Sequence, residues 1–236
     1  MSKKATQPVS DAYDKQKQFV TDASHELKTP LTVISANAEI LALLYGSNEW
    51  CDGINKQLKT MRALIEQMLQ MAKLDEGERR LIFAPFSVSD AVYDTAMSFE
   101  ALALRQNLRF SVELQPDMVM FGDEAAIRGV VAILVDNAVK YCDEGGRITV
   151  LLEKQQKGFH RDRLLLTVRN TFTHADAVDT AHIFDRFYQA DGARSGHSGY
   201  GLGLSIAKSI IELHHGTIAC NLNNVGEIEF EIRLNL

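Results

Sequence analysis

The amino-acid sequence predicts an α+β protein in two parts: a helical hairpin that pairs with a second copy as a four-helix bundle, then a two-layer α/β sandwich. Three observations predict it. Apolar residues recur in alternating steps of four and three over the first third of the chain; the pattern stops at a charged, glycine-containing segment, "LDEGERR", Leu74 to Arg80; and beyond it helical stretches mix with stretches of alternating apolar and polar residues.

In the first part, Leu27, Leu31, Ile34, Ala38, Leu41 and Tyr45 fall on one face of a helix over Ala23 to Tyr45. Leu58, Met61, Ile65, Met68 and Ala72 repeat the spacing after a break at "YGSNE". Gly46 suits the end of the first helix, and Ser47 or Asn48 the cap of the second. One hairpin leaves its apolar seam half covered, so the expectation is a homodimer; the alternative packs that seam on the chain's own second half. Pro85 follows the break, and the expected domains are residues 1–78 and 79–236. In the second part the patterns predict helices over Val88 to Gln106, Glu124 to Tyr141 (capped by Asp123) and Leu204 to His214. Strands are expected over Arg147 to Glu153, Leu164 to Arg169 and Glu227 to Leu234. No internal repeat or low-complexity tract is visible.

Charge and composition remove several functions. A net charge of −6 and no Lys/Arg run longer than the pairs Lys3–Lys4 and Arg79–Arg80 argue against direct nucleic-acid binding. No unbroken apolar run exceeds the six residues Val130 to Val135, against roughly 20 for a spanning helix, so no membrane contact is expected within this chain. The start lacks the apolar core of a signal peptide. Cys51, Cys142 and Cys220 are far apart, without a C-x-x-C pair, as suits reduced thiols in a cytosolic compartment.

Four segments carry chemistry. "SHELKTPL" sets an ionisable His25 beside Glu26 in an amphipathic helix, which makes it a solvated surface residue or a reactive one. "LVDNAVKY" puts Asn137 and Lys140 on one helix face. An amide oxygen can coordinate Mg²⁺ and a lysine can neutralise phosphate, although an exposed polar face reads equally well. "HIFDRFYQADGARSGHS" gives two aromatic anchors, Phe184 and Phe187, before a glycine-rich run, with Arg186 and Arg194 in reach of a triphosphate. "GYGLGLSIAKSII" places Gly199, Gly201 and Gly203 ahead of a helix, so that backbone N–H groups can approach an anion. It is neither a Rossmann fingerprint nor a P-loop.

In this order, the four segments closely resemble the sensor histidine kinases of two-component signalling. "SHELKTPL" is similar to the phosphoacceptor H box, "DNAVKY" to the N box, "IFDRFY" to the F box and "GYGLGL" to the second glycine box, over Phe19 to about Gly216. The resemblance implies a dimerisation and histidine-phosphotransfer hairpin followed by an ATP-binding domain of the gyrase, Hsp90, histidine kinase and MutL type. It implies that His25 accepts the γ-phosphoryl group of ATP, that Glu26 takes the proton from the other ring nitrogen, and that Pro30 bends the helix nearby. Thr29 matches the E-x-x-T position that supports dephosphorylation of the partner. Asn137 is implied to bind Mg²⁺, Lys140 and Tyr141 to lie near the phosphates, and Gly199, Gly201, Leu202 and Gly203 to shape the lid. The implied partner is a response regulator whose receiver aspartate takes the phosphoryl group. The implied setting is the cytoplasmic region of a membrane-anchored bacterial sensor.

The sequence departs from that pattern twice. The first glycine box falls on "NTFTH": Asn170 stands for the adenine-reading aspartate, Phe172 and His174 for its glycines, with Asp176 or Asp179 as substitute acids. Ile133 stands for the upstream asparagine of the N box. A working kinase with altered nucleotide affinity is expected. An ATP-independent pseudokinase, a superfamily ATPase and a purely dimeric interaction module are the alternatives.

Overall fold

The computed structural model describes residues 27–46, 48–75, 81–155, 162–173, 178–189, 200–223 and 226–236. It divides into two compact units, Met1–Arg79 and Arg80–Leu236.

In the first unit, helix α1 (Leu27–Tyr45) and helix α2 (Glu49–Asp75) make the hairpin. Gly46, at φ 81°, turns the chain after α1. Asn48 starts α2, its side-chain oxygen accepting the N–H groups of Trp50 and Cys51 at 3.1 and 2.9 Å. Leu31 and Ala38 of α1 meet Leu58 and Ile65 of α2 in a buried cluster flanked by Leu69. At about 100° per residue, the other apolar positions of the heptad pattern fall to one side of this stripe. On α1 they are Leu27, Ile34, Leu41 and Tyr45, all exposed; on α2 Met61 is exposed, as are Trp50 and Ile54 from outside the pattern, whereas Met68 is half-buried and Ala72 buried. A further stripe, Val33, Ile40 and Leu44, lies on the far side of α1, also exposed. α1 is 19 residues long and, by length and composition, apolar enough to cross a bilayer, a property that the sequence criterion of unbroken runs does not register. Lys28 and Glu39 are its charged residues.

The second unit is a sheet with helices on one face. Strands β1 (Ala84–Ser87) and β3 (Val119–Gly122) form an antiparallel ribbon. The main sheet runs β2-β4-β5-β7-β6, with β2 (Arg109–Leu114) parallel to β4 (Arg147–Gln155). β5 (Arg163–Thr171), β7 (Glu227–Asn235) and β6 (Thr217–Asn223) continue it antiparallel. Helix α5 (Glu124–Tyr141) packs on β4 and β5, flanked by α3 (Val88–Met97) and α6 (Gly203–Leu213). Burial alternates along β7, where Ile228, Phe230, Ile232 and Leu234 point inward and glutamates outward.

The stretch Val88 to Gln106, expected as one helix, is two: α3 ends at Ser98 and α4 (Glu100–Arg105) follows. Ser98 Oγ donates to the Thr95 carbonyl at 2.7 Å, a local bond that competes with helix continuation. β1, β2, β3 and β6 add to the three strands expected from sequence; β1 and β3 are four residues each, too short for alternation to declare.

Candidate functional site

α5 and α6 bring the sequence-predicted residues of the second unit together. α6 begins without a side-chain cap: Leu202 sits at the N-cap position, buried, and offers no oxygen. Leu202 thus caps none of the first N–H groups, and the positive end of the helix dipole there favours an anion. Gly203 lies against α5, where an added Cβ would meet the Ile133 Cγ2 methyl at 3.3 Å. Ile133 thus packs against the start of α6, and the asparagine expected there would exchange an apolar contact for a polar group. Asn137 is one turn further along α5, half-buried, and its side chain makes no hydrogen bond to another described residue. Among the described residues no group of three or more His, Cys, Asp or Glu side chains is placed to hold a metal.

Lys140 is tied within α5, its Nζ 2.5 Å from Asp136 Oδ2. Tyr141 is half-buried, and burial first, then the Asp136 carboxylate, pushes its phenol above the usual tyrosine range. Burial raises the Cys142 thiol at the end of α5 as well, offset in part by a backbone hydrogen bond from Thr171.

Gly201 joins the F box to the second glycine box. It has φ 68°, and a Cβ there would fall 2.4 Å from the Tyr188 carbonyl oxygen and 2.6 Å from the Phe187 carbonyl carbon. The Phe187 N–H donates to the Gly201 carbonyl at 2.9 Å, and Phe187 itself has φ 64°, unusual for a residue with a Cβ. Phe184 anchors this turn edge-on against Phe230 of β7, with ring centroids 6.3 Å apart. Arg186 is exposed in the same turn.

Asn170 is at the end of β5, on the face under the helices, and 1% exposed. Its Nδ2 donates to the Thr171 carbonyl at 3.2 Å. The chain beyond it is built without the glycines of the family pattern. The Phe172 N–H donates to the Gly226 carbonyl at 2.7 Å and the Thr173 N–H to Asp143 Oδ2 at 2.8 Å. Phe172 is not among the positive-φ residues, so this turn does not require glycine there. Asp179 accepts the Ala181 N–H at 3.0 Å and is exposed.

Thr29 is exposed on α1, whose helical backbone continues through Pro30. His25, Glu26, His174, Asp176, Arg194 and Gly199 lie outside the described residues. Thr171, Asp143 and Gly226 were not found by sequence reasoning, because each bonds to a backbone group, which no side-chain pattern records.

The hairpin precedes a sandwich in which the start of α6 and Asn137 lie side by side. Family comparisons give the class of each part. Residues 15–77 match the His Kinase A (phospho-acceptor) domain and residues 122–236 the histidine kinase-, DNA gyrase B- and HSP90-like ATPase. The chain is 32% identical over 211 residues to the sensor protein DltS of Streptococcus agalactiae serotype III, covering 89% of this chain and 52% of DltS. It therefore spans about half the length of the curated relatives it matches. Full-length ShkA in complex with AMPPNP has the same fold (TM-score 0.77, 22% identity, 92% of this chain and 45% of that one). So does the histidine kinase ThkA, solved in complex with the response regulator TrrA (TM-score 0.64, 20% identity, 98% of this chain and 65% of that one). The chain belongs to the sensor histidine kinases of two-component systems.

Proposed function

We propose that this chain phosphorylates its own His25 from ATP and passes the phosphoryl group to a receiver aspartate of a response regulator. The observation that carries the reading is the pairing of the uncapped start of α6 with Asn137, joined through the Gly203–Ile133 contact. The α6 N–H groups would receive phosphate oxygens, and Asn137 would hold Mg²⁺, since an amide oxygen is a hard ligand suited to that ion. ATP supplies the transferred group and Mg²⁺ neutralises its charge. Lys140 reaches the phosphates by leaving Asp136, a partly exposed pair that is cheap to break. Tyr141 flanks them, Arg186 and Arg194 approach from the lid turn, and Gly199, Gly201, Leu202 and Gly203 form the lid itself. A neutral imidazole nitrogen of His25 then forms the bond to the γ-phosphorus, the bond to the ADP oxygen breaks, and Glu26 receives the ring proton.

The hairpin acts as a homodimer, which covers the exposed side running from Leu27 to Tyr45 on α1 and Trp50 to Met61 on α2. The same cover accounts for the apolar surplus of α1, so α1 is a bundle helix and not a membrane span. The Val33, Ile40 and Leu44 stripe stays outside that seam and serves the receiver domain. The exposed hydroxyl of Thr29 supports dephosphorylation of the same partner. The kinase core works in the cytoplasm, as part of a membrane-anchored sensor, with residues 1–78 and 79–236 as its two domains.

Purified protein given γ-labelled ATP and Mg²⁺ is expected to carry an acid-labile, alkali-stable label. His25→Gln abolishes it and Asn137→Asp lowers it about 100-fold or more, the scale of losing a key charge-stabilising contact. An unlabelled wild-type protein that binds ATP would support the pseudokinase reading, and free phosphate without labelled protein the ATPase.

A further inference from the structure

Asp143 joins the end of α5 to the stretch that follows β5. Cys142 closes the helix, its N–H donating to the Ala138 carbonyl at 2.9 Å. A tight turn comes next, in which the Gly146 N–H donates to the Asp143 carbonyl at 2.9 Å. A Cβ at Gly146 would fall 2.7 Å from the Asp143 carbonyl oxygen and 3.1 Å from the Thr171 Cβ, so the turn is pressed against the end of β5. There Asp143 holds the chain at two points. Its N–H donates to the Thr171 carbonyl at 3.0 Å, and its Oδ2 accepts the Thr173 N–H at 2.8 Å. Two more bonds hold the same stretch: the Phe172 N–H donates to the Gly226 carbonyl at 2.7 Å, and the Arg147 N–H to Thr171 Oγ1 at 3.0 Å.

These four bonds ask different things of the sequence. Two run from backbone to backbone, which residues of many kinds can supply, and one uses the hydroxyl of Thr171 itself. Only the Thr173 N–H depends on a side chain that reaches in from another element. Thr173 is exposed, so without that acceptor its N–H turns to water at little cost in stability. The loss is one of position. α5 also carries Asn137 and Lys140, and the Asp143 carboxylate sets how the stretch after β5 stands relative to them. We infer that Asp143 is a positioning residue for the nucleotide: it fixes this stretch as one wall of the site and so raises ATP affinity without touching ATP or the transferred group. The inference rests on the ATP-site reading above. Phe172 and His174 stand where the family pattern has glycines, so bonds to neighbours shape this wall in place of glycine's freedom. An acceptor is what the geometry asks for, not a charge, and an asparagine oxygen at the same reach serves as well.

The test is calorimetric titration of the full chain with ATP and Mg²⁺, with the rate of labelling at saturating ATP measured beside it. Asp143→Ala is expected to raise the dissociation constant about tenfold, the scale of a displaced binding wall, and to leave the saturated rate within about twofold of wild type. Asp143→Asn is expected to bind ATP as wild type does. Wild-type affinity in Asp143→Ala overturns the inference. So does an Asp143→Asn protein as weak as Asp143→Ala, which would make the charge the cause and not the bond. An equal fall in affinity and in saturated rate, with a lower melting temperature, also overturns it, in favour of a general structural role. If Asp143→Ala does not fold, Asp143→Glu replaces it: the charge is kept but carried one methylene further, so weaker binding than in Asp143→Asn is expected, and equal binding overturns the inference. If wild type binds ATP without taking label, the affinities decide alone. Folded wild-type protein that binds no ATP overturns the ATP-site reading itself, a result that no Asp143 variant is needed to see.

Discussion

Gly201 meets two separate demands, a backbone at φ 68° and no room for a Cβ beside Tyr188 and Phe187. Gly145 meets the first alone: its φ is also 68°, with nothing within 4 Å of an added Cβ. Comparing alanine at the two positions separates strain from contact. Gly145→Ala is expected to cost about 1–3 kcal/mol in denaturant unfolding, the price of a left-handed non-glycine residue, with nucleotide affinity unchanged. Gly201→Ala adds displacement of the Phe187–Tyr188 turn and is expected to weaken ATP binding about tenfold or more, measured by titration. An affinity unchanged in Gly201→Ala would mean that the turn does not shape the site. The alternating glycines of "GYGLGL" were legible in the sequence as a phosphate-approaching loop, but their ranking was not. Gly203 faces only a tight contact with Ile133, whereas Gly201 cannot be replaced without moving backbone. Nor was the left-handed Phe187 legible, because nothing in "FDRFYQ" marks a phenylalanine that must turn back to meet Gly201.

At the scale of elements, α5 and α6 are joined at their far ends as well as beside Asn137. His214 follows α6 and is buried. Its Nδ1–H donates to the Ile210 carbonyl at 2.8 Å and its Nε2 accepts the Asp123 N–H at 3.0 Å. Asp123 caps α5 by accepting the Ala126 N–H at 2.9 Å and also accepts the Ile82 N–H at 3.0 Å, while Phe83 lies on the His214 ring with centroids 4.9 Å apart. One relay thus holds the end of α6, the start of α5 and the segment that leads into β1. Judged by apolar contact alone, His214→Phe should stabilise the unit, since it replaces the imidazole beside Phe83 with a larger, wholly apolar ring. Counting hydrogen bonds gives the opposite sign, because the buried Asp123 N–H loses its acceptor, at about 1–3 kcal/mol. The urea midpoint is expected to fall with the slope unchanged; a rise would show that packing outweighs the bond. Asp123 as a cap was readable in the sequence, since a cap and its N–H are three residues apart. Its bond to His214 spans 91 residues and leaves no local pattern. The same division separates α5, called from end to end, from the β1–β3 ribbon, whose four-residue strands exist only because they find each other.

For the whole molecule the question is what covers the hairpin. Heptad spacing predicted one seam, and the structure resolves it into two. Leu31, Ala38, Leu58 and Ile65 are used inside the hairpin, whereas Leu27, Ile34, Leu41, Tyr45, Trp50, Ile54 and Met61 are left open on one side. A second copy of the chain, placed with its own open side inward, covers both sets at once and closes a four-helix bundle. Light scattering at micromolar concentration is expected to give twice the 26.3 kDa of the chain. Ile34→Glu and Met61→Glu, each placing a charge in the seam, are expected to give the monomer mass and a hairpin that unfolds at lower temperature than the ATP-binding unit. Val33→Glu is the control: its side chain is 56% exposed on the opposite side of α1, so the dimer mass is expected to persist while affinity for the receiver domain falls. A dimer that survives both seam variants would assign the open side to another partner. A dimer lost with Val33→Glu would mean that the two stripes have exchanged roles, with the receiver domain on the side of Ile34 and Met61.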